Sequence, residues 1–337
     1  MLRSLVGSEM CIRDRNKAMK KKTKRNLIIT AILIVLISAI IAWFAYPFVR
    51  YSSHTLAYRS TLPENACYQY PIQYSEEGWF LIDCVINGKY KVPLRIDTQA
   101  TSLMREDSIH AYSGEYWGNL PIKSTNAYQK KDSPELYTFT SISFGDACIQ
   151  EPMFNSISKD NIIYNVIDEG IFGTEMLAIG TWKFDTETGM MTLFHSNNKD
   201  LLAKETIGMI YYPQGLREDS IPIYIEGIND KVCFTLDMGY AGVLEINNAL
   251  ADRLKTHFHY KEEITKHGEE LTDTLSIFKI PVTIAGTRID SCEVVNSRIV
   301  NANYIGAEFM HHCNFVLHYS LDEHGKPNKD LYLKVRE

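Results

Sequence analysis

The sequence predicts a mostly β body built from two similar halves, with one membrane-spanning helix before it. Three observations support this: an uncharged apolar run near the N-terminus, strand-like segments throughout the remainder, and an internal repeat at a spacing of about 140 residues. Of the 337 residues, 45% are hydrophobic and 23% are charged. That composition excludes a disordered or collagen-like chain and suggests domains of ordinary size.

Charge is distributed unevenly along the chain. Residues 1–25 hold nine Lys or Arg and two Asp or Glu, whereas the whole chain has a net charge of −6. The remaining residues therefore carry a net charge of −13. An acidic body repels polyanions, so we expect no nucleic-acid partner.

The apolar run at 27–49 contains no charged residue and is long enough, at about 34 Å as a helix, to span a membrane. A cluster of Lys and Arg at 20–25 precedes it, which predicts a cytoplasmic N-terminus and an extracytoplasmic body. Trp43, Phe44 and Tyr46 would lie at the far interface. A cleaved signal peptide is the alternative, but the residues after the run offer no convincing small-x-small cleavage site.

The first fifteen residues do not fit this plan. They contain the string SEMCIRDR, which resembles translated sequencing-adapter sequence, so we exclude 1–15 from fold reasoning. In chain order, we expect the protein to consist of a basic cytoplasmic N-terminus at 1–26, a transmembrane anchor at 27–49, a stalk at 50–75, a first lobe at 76–200, a linker at 201–217 and a second lobe at 218–337.

Beyond residue 75 the sequence reads as short strands rich in Ile, Val, Tyr, Phe and Thr, separated by Gly, Asn and Asp. Examples are GWFLIDCVING, KYKVPLRID, YTFTSISFG, WKFDTETGMMTLF, IPIYIEGIND and KIPVTIAG. The only convincing helix in this region is predicted at 247–258, where Asn247 can cap and Leu250 and Leu254 share a face. The body is therefore predicted to be mostly β.

The repeat aligns two pairs of segments in the same order. With Asp97 placed over Asp237, INGKYKVPLRIDTQA lies over EGINDKVCFTLDMGY. Further along, GIFGTEML at 170–177 lies over NYIGAEFM at 303–310, and a strand follows each. Apolar-apolar-Asp strings are common in β proteins, but two matches in order at nearly the same spacing indicate duplication.

An apolar strand, an Asp-Thr-Gly-Ala-like loop and a later apolar-apolar-Gly segment occur twice in the same order. This arrangement resembles that of the pepsin-like and retropepsin-like aspartic proteases. The resemblance covers about residues 76–335 and is closest to bacterial membrane-anchored or secreted members. It implies a two-lobed β-barrel fold with a pseudo-twofold axis, and a body in the periplasm. Asp97 and Asp237 would be the catalytic pair, Gly173 and Gly306 the psi-loop glycines, and a peptide or protein the substrate in the inter-lobe cleft.

Both Asp motifs depart from the family pattern. The first reads Asp-Thr-Gln-Ala, keeping Thr98 but placing Gln99 where the family has Gly. The second reads Asp-Met-Gly-Tyr, with Met238 in place of Thr and Gly239 retained. In the family the two Thr hydroxyls tie the loops together, and a Met cannot donate that bond. Gln also adds a Cβ where Gly is more permissive, so we expect a weakened support around the pair.

Two function classes follow from these residues. Carboxylates about 3 Å apart share one proton, and such a pair can activate water to hydrolyse a peptide bond without a metal or a covalent intermediate. The first class is thus a membrane-anchored aspartic-type endopeptidase. The second is a catalytically inactive relative that keeps the cleft as a peptide-binding or regulatory module.

No metal or cofactor is expected. His257 and His259 are two residues apart, a spacing that would place them on different faces of a helix and so not on one metal ion. His311 and His312 directly follow the second apolar-Gly segment. No nucleophile elbow or glycine-rich phosphate loop occurs. The six cysteines of the body form no CxxC pair, and their disulfide pairing stays open among 15 possibilities.

Overall fold

The structure, a computed structural model, describes residues 3–119, 124–125, 131–132, 135–213, 221–228, 230–267, 271–300, 302–321 and 327–336. The chain divides into two units, 1–52 and 53–337. Six α-helices are described: α1 Arg3–Ala57, α2 Glu106–Ala111, α3 Thr174–Leu177, α4 Lys199–Glu205, α5 Asn248–Lys255 and α6 Ala307–Met310.

One helix is long and apolar enough to cross a membrane, within the part of the chain that the structure describes. Its candidate span is Ile32–Ala57, 26 residues with a mean hydropathy of 2.5 and no burial inside the protein. This span overlaps the predicted anchor at 27–49 and ends later, because the helix continues to Ala57. The prediction of one N-terminal helix of membrane-spanning length is therefore confirmed.

The remaining elements are mostly strands. In the first half they are β1 Cys67–Pro71, β2 Gln73–Tyr74, β3 Phe80–Ile86, β4 Tyr90–Ile96, β5 Leu103–Arg105, β6 Glu115–Asn119, β7 Ser124–Thr125, β8 Lys131–Asp132, β9 Glu135–Thr138, β10 Ser141–Phe144, β11 Ala147–Gln150, β12 Met153–Ile157, β13 Gly170–Phe172, β14 Thr181–Asp185 and β15 Met190–Phe194. In the second half they are β16 Ile210–Pro213, β17 Ile221–Ile225, β18 Asp230–Leu236, β19 Leu244–Glu245, β20 Tyr260–His267, β21 Leu271–Ile284, β22 Thr287–Ser297, β23 Tyr304–Ile305, β24 Cys313–Leu321 and β25 Pro327–Val335.

The two halves of the body repeat one strand order. The first sheet contains the run β3-β4-β13-β5-β12-β9-β6, and the second sheet is β17-β18-β23-β19-β22-β21-β20. The directions match as well: β4 pairs parallel with β13 as β18 does with β23, and β5 pairs parallel with β12 as β19 does with β22. Strand order and direction together confirm the duplicated, mostly β, two-lobed fold that the sequence predicts.

A third, six-stranded sheet joins the halves in the order β1-β15-β14-β24-β25-β16. Its two central strands, β14 and β24, pair antiparallel and come from equivalent positions of the two halves. Phe184 and Phe315 lie opposite each other in this pairing, and their rings stack at 4.5 Å between centroids. Both side chains are fully buried, so the pseudo-twofold axis passes through hydrophobic core.

Two predicted connecting segments contain ordered elements. The expected stalk at 50–75 includes β1 and β2, and Tyr58 within it is 2% exposed. The Tyr58 hydroxyl accepts a hydrogen bond from Met153 N–H at 2.8 Å, which holds this segment against the first lobe. The expected linker at 201–217 contains the end of α4 and all of β16. Each segment supplies an outer strand of the six-stranded sheet, and that pairing is not visible in local sequence.

The predicted helix at 247–258 is confirmed as α5, with Asn247 as its N-cap accepting from Leu250 N–H at 2.9 Å. The structure adds α2, α3, α4 and α6, which are too short to give a clear hydrophobic period. All six cysteines of the body are free, and three of them, Cys84, Cys292 and Cys313, are buried.

Candidate active site

Asp97 and Asp237 occupy equivalent positions in the two halves. Each directly follows the second strand of the run that the two halves share, β4 in the first half and β18 in the second. The Asp97 N–H donates to Phe172 C=O at 3.2 Å, and the Asp237 N–H donates to Ile305 C=O at 2.9 Å. The duplicated parallel pairing therefore holds both loops in the same way.

The two carboxylates face each other across Gly239. A Cβ on Gly239 would overlap Asp97 Oδ2 and would lie 3.1 Å from Asp237 Oδ1. The two oxygens are therefore within about 5 Å of each other, inside the range in which two acids share a site. Gly239 has no positive φ, so the position requires glycine for space and not for backbone freedom.

Backbone N–H groups orient both carboxylates. Asp97 Oδ1 accepts from Gln99 N–H at 2.7 Å and Ala100 N–H at 2.8 Å, and Asp237 Oδ1 accepts from Gly239 N–H at 2.9 Å. Asp97 is buried and Asp237 is half-buried. Burial raises the pKa of Asp97, and burial together with the neighbouring Asp97 carboxylate raises the pKa of Asp237. The pair is therefore arranged to retain a proton above the ordinary carboxyl range.

Among the described residues, the side-chain hydrogen bonds that join the two Asp loops come from the first lobe. The Thr98 hydroxyl donates to Leu236 C=O at 2.9 Å and accepts from Met238 N–H at 3.2 Å, so one side chain makes both bonds across the lobes. Met238 is fully buried and returns no such bond. The Gln99 amide donates to the same Leu236 C=O at 2.8 Å. The first lobe thus supplies a second side-chain donor to this carbonyl, whereas the Met238 side chain of the second lobe supplies none.

The expectation that Gln99 disturbs its loop was wrong for a geometric reason. Gln99 does not have a positive φ, so its Cβ requires no left-handed backbone. Its side chain crosses to the second lobe and contributes a hydrogen bond.

Gly173 and Gly306 lie against the backbone of the two Asp loops. A Cβ on Gly173 would lie 2.6 Å from Ala100 O, and a Cβ on Gly306 would lie 2.7 Å from Tyr240 O. The residue after each glycine donates to the same carbonyl, Thr174 N–H to Ala100 C=O and Ala307 N–H to Tyr240 C=O. Each glycine therefore permits the close passage of a second segment beside its loop.

Three residues near the pair were missed by sequence reasoning. Lys329 is 7% exposed, and its ammonium donates to Thr98 C=O at 3.2 Å. Arg95, also buried, donates to Val166 C=O and stacks its guanidinium 3.4 Å above the Trp79 ring. The Trp79 indole donates to Gly239 C=O at 3.1 Å. For Lys329 a signal existed, since it occupies an inward position in the alternation that continues with Leu331 and Leu333.

A further buried acid lies behind the second loop. Glu245 is 4% exposed, and its Oε1 has no hydrogen-bond partner in the part of the chain that the structure describes. Burial raises the pKa of Glu245 to about 8, and the carboxylates of Asp237 and Asp273 add to this effect. Glu245 is therefore a second source of pH-dependent stability near the pair.

The four histidines considered at the outset do not form a cluster suited to a metal. Within the described ranges, no group of three or more His, Cys, Asp and Glu side chains is placed to hold an ion. His257 and His259 are exposed, whereas His311 is partly buried, with its Nε2 2.7 Å from Gly78 O and its ring against Tyr74 and Phe80.

Replacing either aspartate with Asn is predicted to flatten the pH dependence of stability. The folded pair has raised pKa values, so its stabilisation is complete below about pH 4 and is lost as pH rises through the folded values. Asp237→Asn removes the part of this loss that comes from Asp237 and should melt above wild type at pH 8 but not at pH 4. Thermal melting across pH measures this, and exposed Asp252→Asn is the control. If the melting temperature changes equally with pH in wild type, Asp237→Asn and Asp252→Asn, the coupling is contradicted.

Gln99→Leu is predicted to destabilise the body by about 0.5–1.5 kcal/mol, because it removes an amide donor to Leu236 C=O at similar volume. Denaturant unfolding measures this, and Gln69→Leu at an exposed position on β1 is the matched control. An unchanged or increased stability for Gln99→Leu would show that the amide does not support the loop.

Solved structures similar to this chain include two aspartic proteases. The aspartic proteinase from Irpex lacteus is 13% identical with a TM-score of 0.48, and the match covers 81% of this chain and 98% of that one. A retropepsin-like aspartic protease from Rickettsia conorii is 17% identical with a TM-score of 0.28, and the match covers 39% of this chain and 94% of that one. No protein-family model and no curated protein matches the chain.

Proposed function

We propose that this chain is a membrane-anchored aspartic-type endopeptidase. The observation that carries the proposal is the meeting of two aspartates, one from each half, with an oxygen of each within about 5 Å. A buried pair of acids costs the fold stability, because each charge must be removed from water, so folding alone gives no reason to place two acids together. Pairs of acids with raised pKa values are typical of functional sites.

The reaction would be hydrolysis of a peptide bond by water. The ionised member of the pair takes a proton from the water as it attacks the carbonyl carbon, and the protonated member donates its proton to the carbonyl oxygen. These two transfers give a gem-diol at the former carbonyl carbon. The acid that took the proton from water then passes it to the nitrogen, a diol hydroxyl returns a proton to the other acid, and the C–N bond breaks to release the amine and the carboxylic acid with the pair again singly protonated. Because the pair titrates as a unit, the two roles are not assigned separately to Asp97 and Asp237.

The support for a working pair is the set of hydrogen bonds that hold the loops together. Thr98 makes two bonds across the lobes, and Gln99 adds a third. Trp79 adds a fourth by donating to Gly239 C=O. Positional precision of this kind is what catalysis by a preorganised pair requires.

A second candidate is an inactive relative that binds peptides. Met238 favours it, because a buried thioether has replaced the hydroxyl that would return the bond from the second lobe. Such a protein would keep the fold and the cleft but would not hydrolyse its ligand.

Hydrolysis by the detergent-solubilised full chain separates these candidates. The endopeptidase should cleave an unstructured protein, and Asp97→Asn and Asp237→Asn should each lower the rate by about 10²–10⁴-fold or more, without further loss in the double variant. Exposed Asp252→Asn is the control. Hydrolysis that survives both substitutions would overturn the proposal, and an inert wild type that still binds extended peptides would favour the second candidate.

We also propose that the N-terminus is cytoplasmic and the body is periplasmic. The support is the Lys and Arg cluster at 20–25 before the apolar helix. Protease added to intact spheroplasts should then digest the body, 53–337, and leave an N-terminal tag protected. Protection of the body would reverse the orientation, and release of a soluble mature form would favour a cleaved signal peptide.

A further inference from the structure

A tryptophan of the first lobe bonds to the Asp loop of the second lobe. The Trp79 indole N–H donates to Gly239 C=O at 3.1 Å. Gly239 lies between the two carboxylates, because its N–H donates to Asp237 Oδ1 at 2.9 Å and a Cβ on it would overlap Asp97 Oδ2. Gly239 has no side chain to hold it by packing, so its position depends on the groups that contact its backbone. The bond from Trp79 is one of the contacts that set where this peptide lies between the acids.

The register of the first sheet explains why Trp79 meets Arg95. Leu81 on β3 lies opposite Arg95 on β4, and Trp79 comes two positions before Leu81, so Trp79 is a diagonal neighbour of Arg95 on the same face. Arg95 is 6% exposed, and its guanidinium carbon lies 3.4 Å from the centre of the Trp79 ring. A planar guanidinium stacked this closely restricts rotation of the ring.

Both partners of this stack are tied to backbone. Arg95 Nη2 donates to Val166 C=O at 2.7 Å, which holds the guanidinium in place. Trp79 N–H donates to Ser75 Oγ at 3.2 Å, and Ser75 N–H donates to Trp79 C=O at 2.9 Å, which hold the backbone of the tryptophan. A continuous series of contacts therefore leads from Val166 through Arg95 and Trp79 to the Gly239 peptide.

The charge of Arg95 can be separated from its stacking. The carboxylates of Asp168, Asp97 and Glu77 attract the guanidinium. A Lys at this position keeps a cation facing these three acids, but its ammonium is a point charge without the planar face that stacks on a ring. Replacing Arg95 with Lys therefore tests the stacking while the charge is kept.

We propose that Arg95 is a positioning residue for the proposed aspartic-protease reaction. Its guanidinium fixes the plane of the Trp79 ring, and the Trp79 indole then holds the Gly239 peptide between the two carboxylates. The inference rests on the proposed function for its catalytic meaning. Its structural part, that Arg95 orders the indole and the indole orders Gly239, applies to the folded chain whether or not it hydrolyses peptides.

Hydrogen exchange at the indole N–H tests the first step. The chain has four tryptophans, so the full chain in detergent, labelled with ¹⁵N-tryptophan, gives four indole signals, and Trp79→Phe identifies that of Trp79. Arg95→Lys should speed exchange of this N–H by about five- to thirtyfold, the range that a desolvated cation–π contact supplies. Arg253→Lys, at an exposed arginine on α5, is the matched control and should leave the rate within about twofold.

The Gly239 amide signal tests the second step. Met238–Gly239 is the one Met-Gly pair in the sequence, so labelling Met with ¹³C at the carbonyl and Gly with ¹⁵N selects this amide. Trp79→Phe keeps a ring on the guanidinium but removes the N–H donor, and it should shift the Gly239 signal. Trp117→Phe, at a half-buried tryptophan on β6, should not shift it.

Three results would overturn the proposal. The first is an unchanged indole exchange rate in Arg95→Lys, or an equal change in Arg253→Lys. The second is an unchanged Gly239 signal in Trp79→Phe. The third is failure of Arg95→Lys to fold, because the residue would then serve the fold and not the position of one ring.

Activity gives an independent readout. If the chain hydrolyses peptides, Trp79→Phe should lower kcat by about 10–100-fold with KM within about twofold, because the loss falls on the placement of the pair and not on substrate binding. Arg95→Lys should lower kcat less, and the double variant should be no slower than Trp79→Phe, because Arg95 acts through the indole N–H. Losses that multiply in the double variant would contradict this. If no variant and no wild type has activity, the proposed function fails while the two NMR series still decide the role of Arg95.

Discussion

The structure depends on holding two acidic side chains together in a largely buried place. Asp97 and Asp237 repel when both are ionised, so the fold must supply hydrogen bonds, a nearby cation and a shared proton. Backbone N–H groups bind both carboxylates, and the Lys329 ammonium donates to Thr98 C=O, one residue after Asp97. The glycine at 239 removes the one side chain that would separate the acids.

The duplicated strand pairing brings the two acids together, whereas the bonds that hold them differ between the two loops. The parallel pairings β4–β13 and β18–β23 place each Asp after an equivalent strand. The loops themselves are no longer equivalent, because the first lobe provides the side-chain donors Thr98 and Gln99 and the second lobe provides the acceptor at Leu236. Equivalent backbone geometry in the two halves is thus held by an asymmetric set of side-chain bonds.

The sequence predicted the features that repeat along the chain. Two strand–Asp segments and two apolar-Gly segments in the same order were enough to predict both lobes and to pair the two acids. Features that depend on one distant partner were not predicted, because nothing local distinguishes them. Gln99 replaces the glycine of the motif, and only its distant partner, Leu236 C=O, shows that its amide supports the loop. Lys329 lies more than 200 positions from the loop that it contacts. Likewise, the outer strands β1 and β16 looked like connecting segments because their pairing partners are remote.

The central claim is that Asp97 and Asp237 titrate as one pair, and carboxyl ¹³C NMR of Asp-labelled protein tests it most directly. Signals assigned by comparison with Asp97→Asn and Asp237→Asn should show two well-separated titration steps, each sensed by both residues. Replacing either residue should leave a single step for the other, shifted from both original values. Two carboxyls that titrate independently, each unchanged when the other is replaced by Asn, would contradict the account.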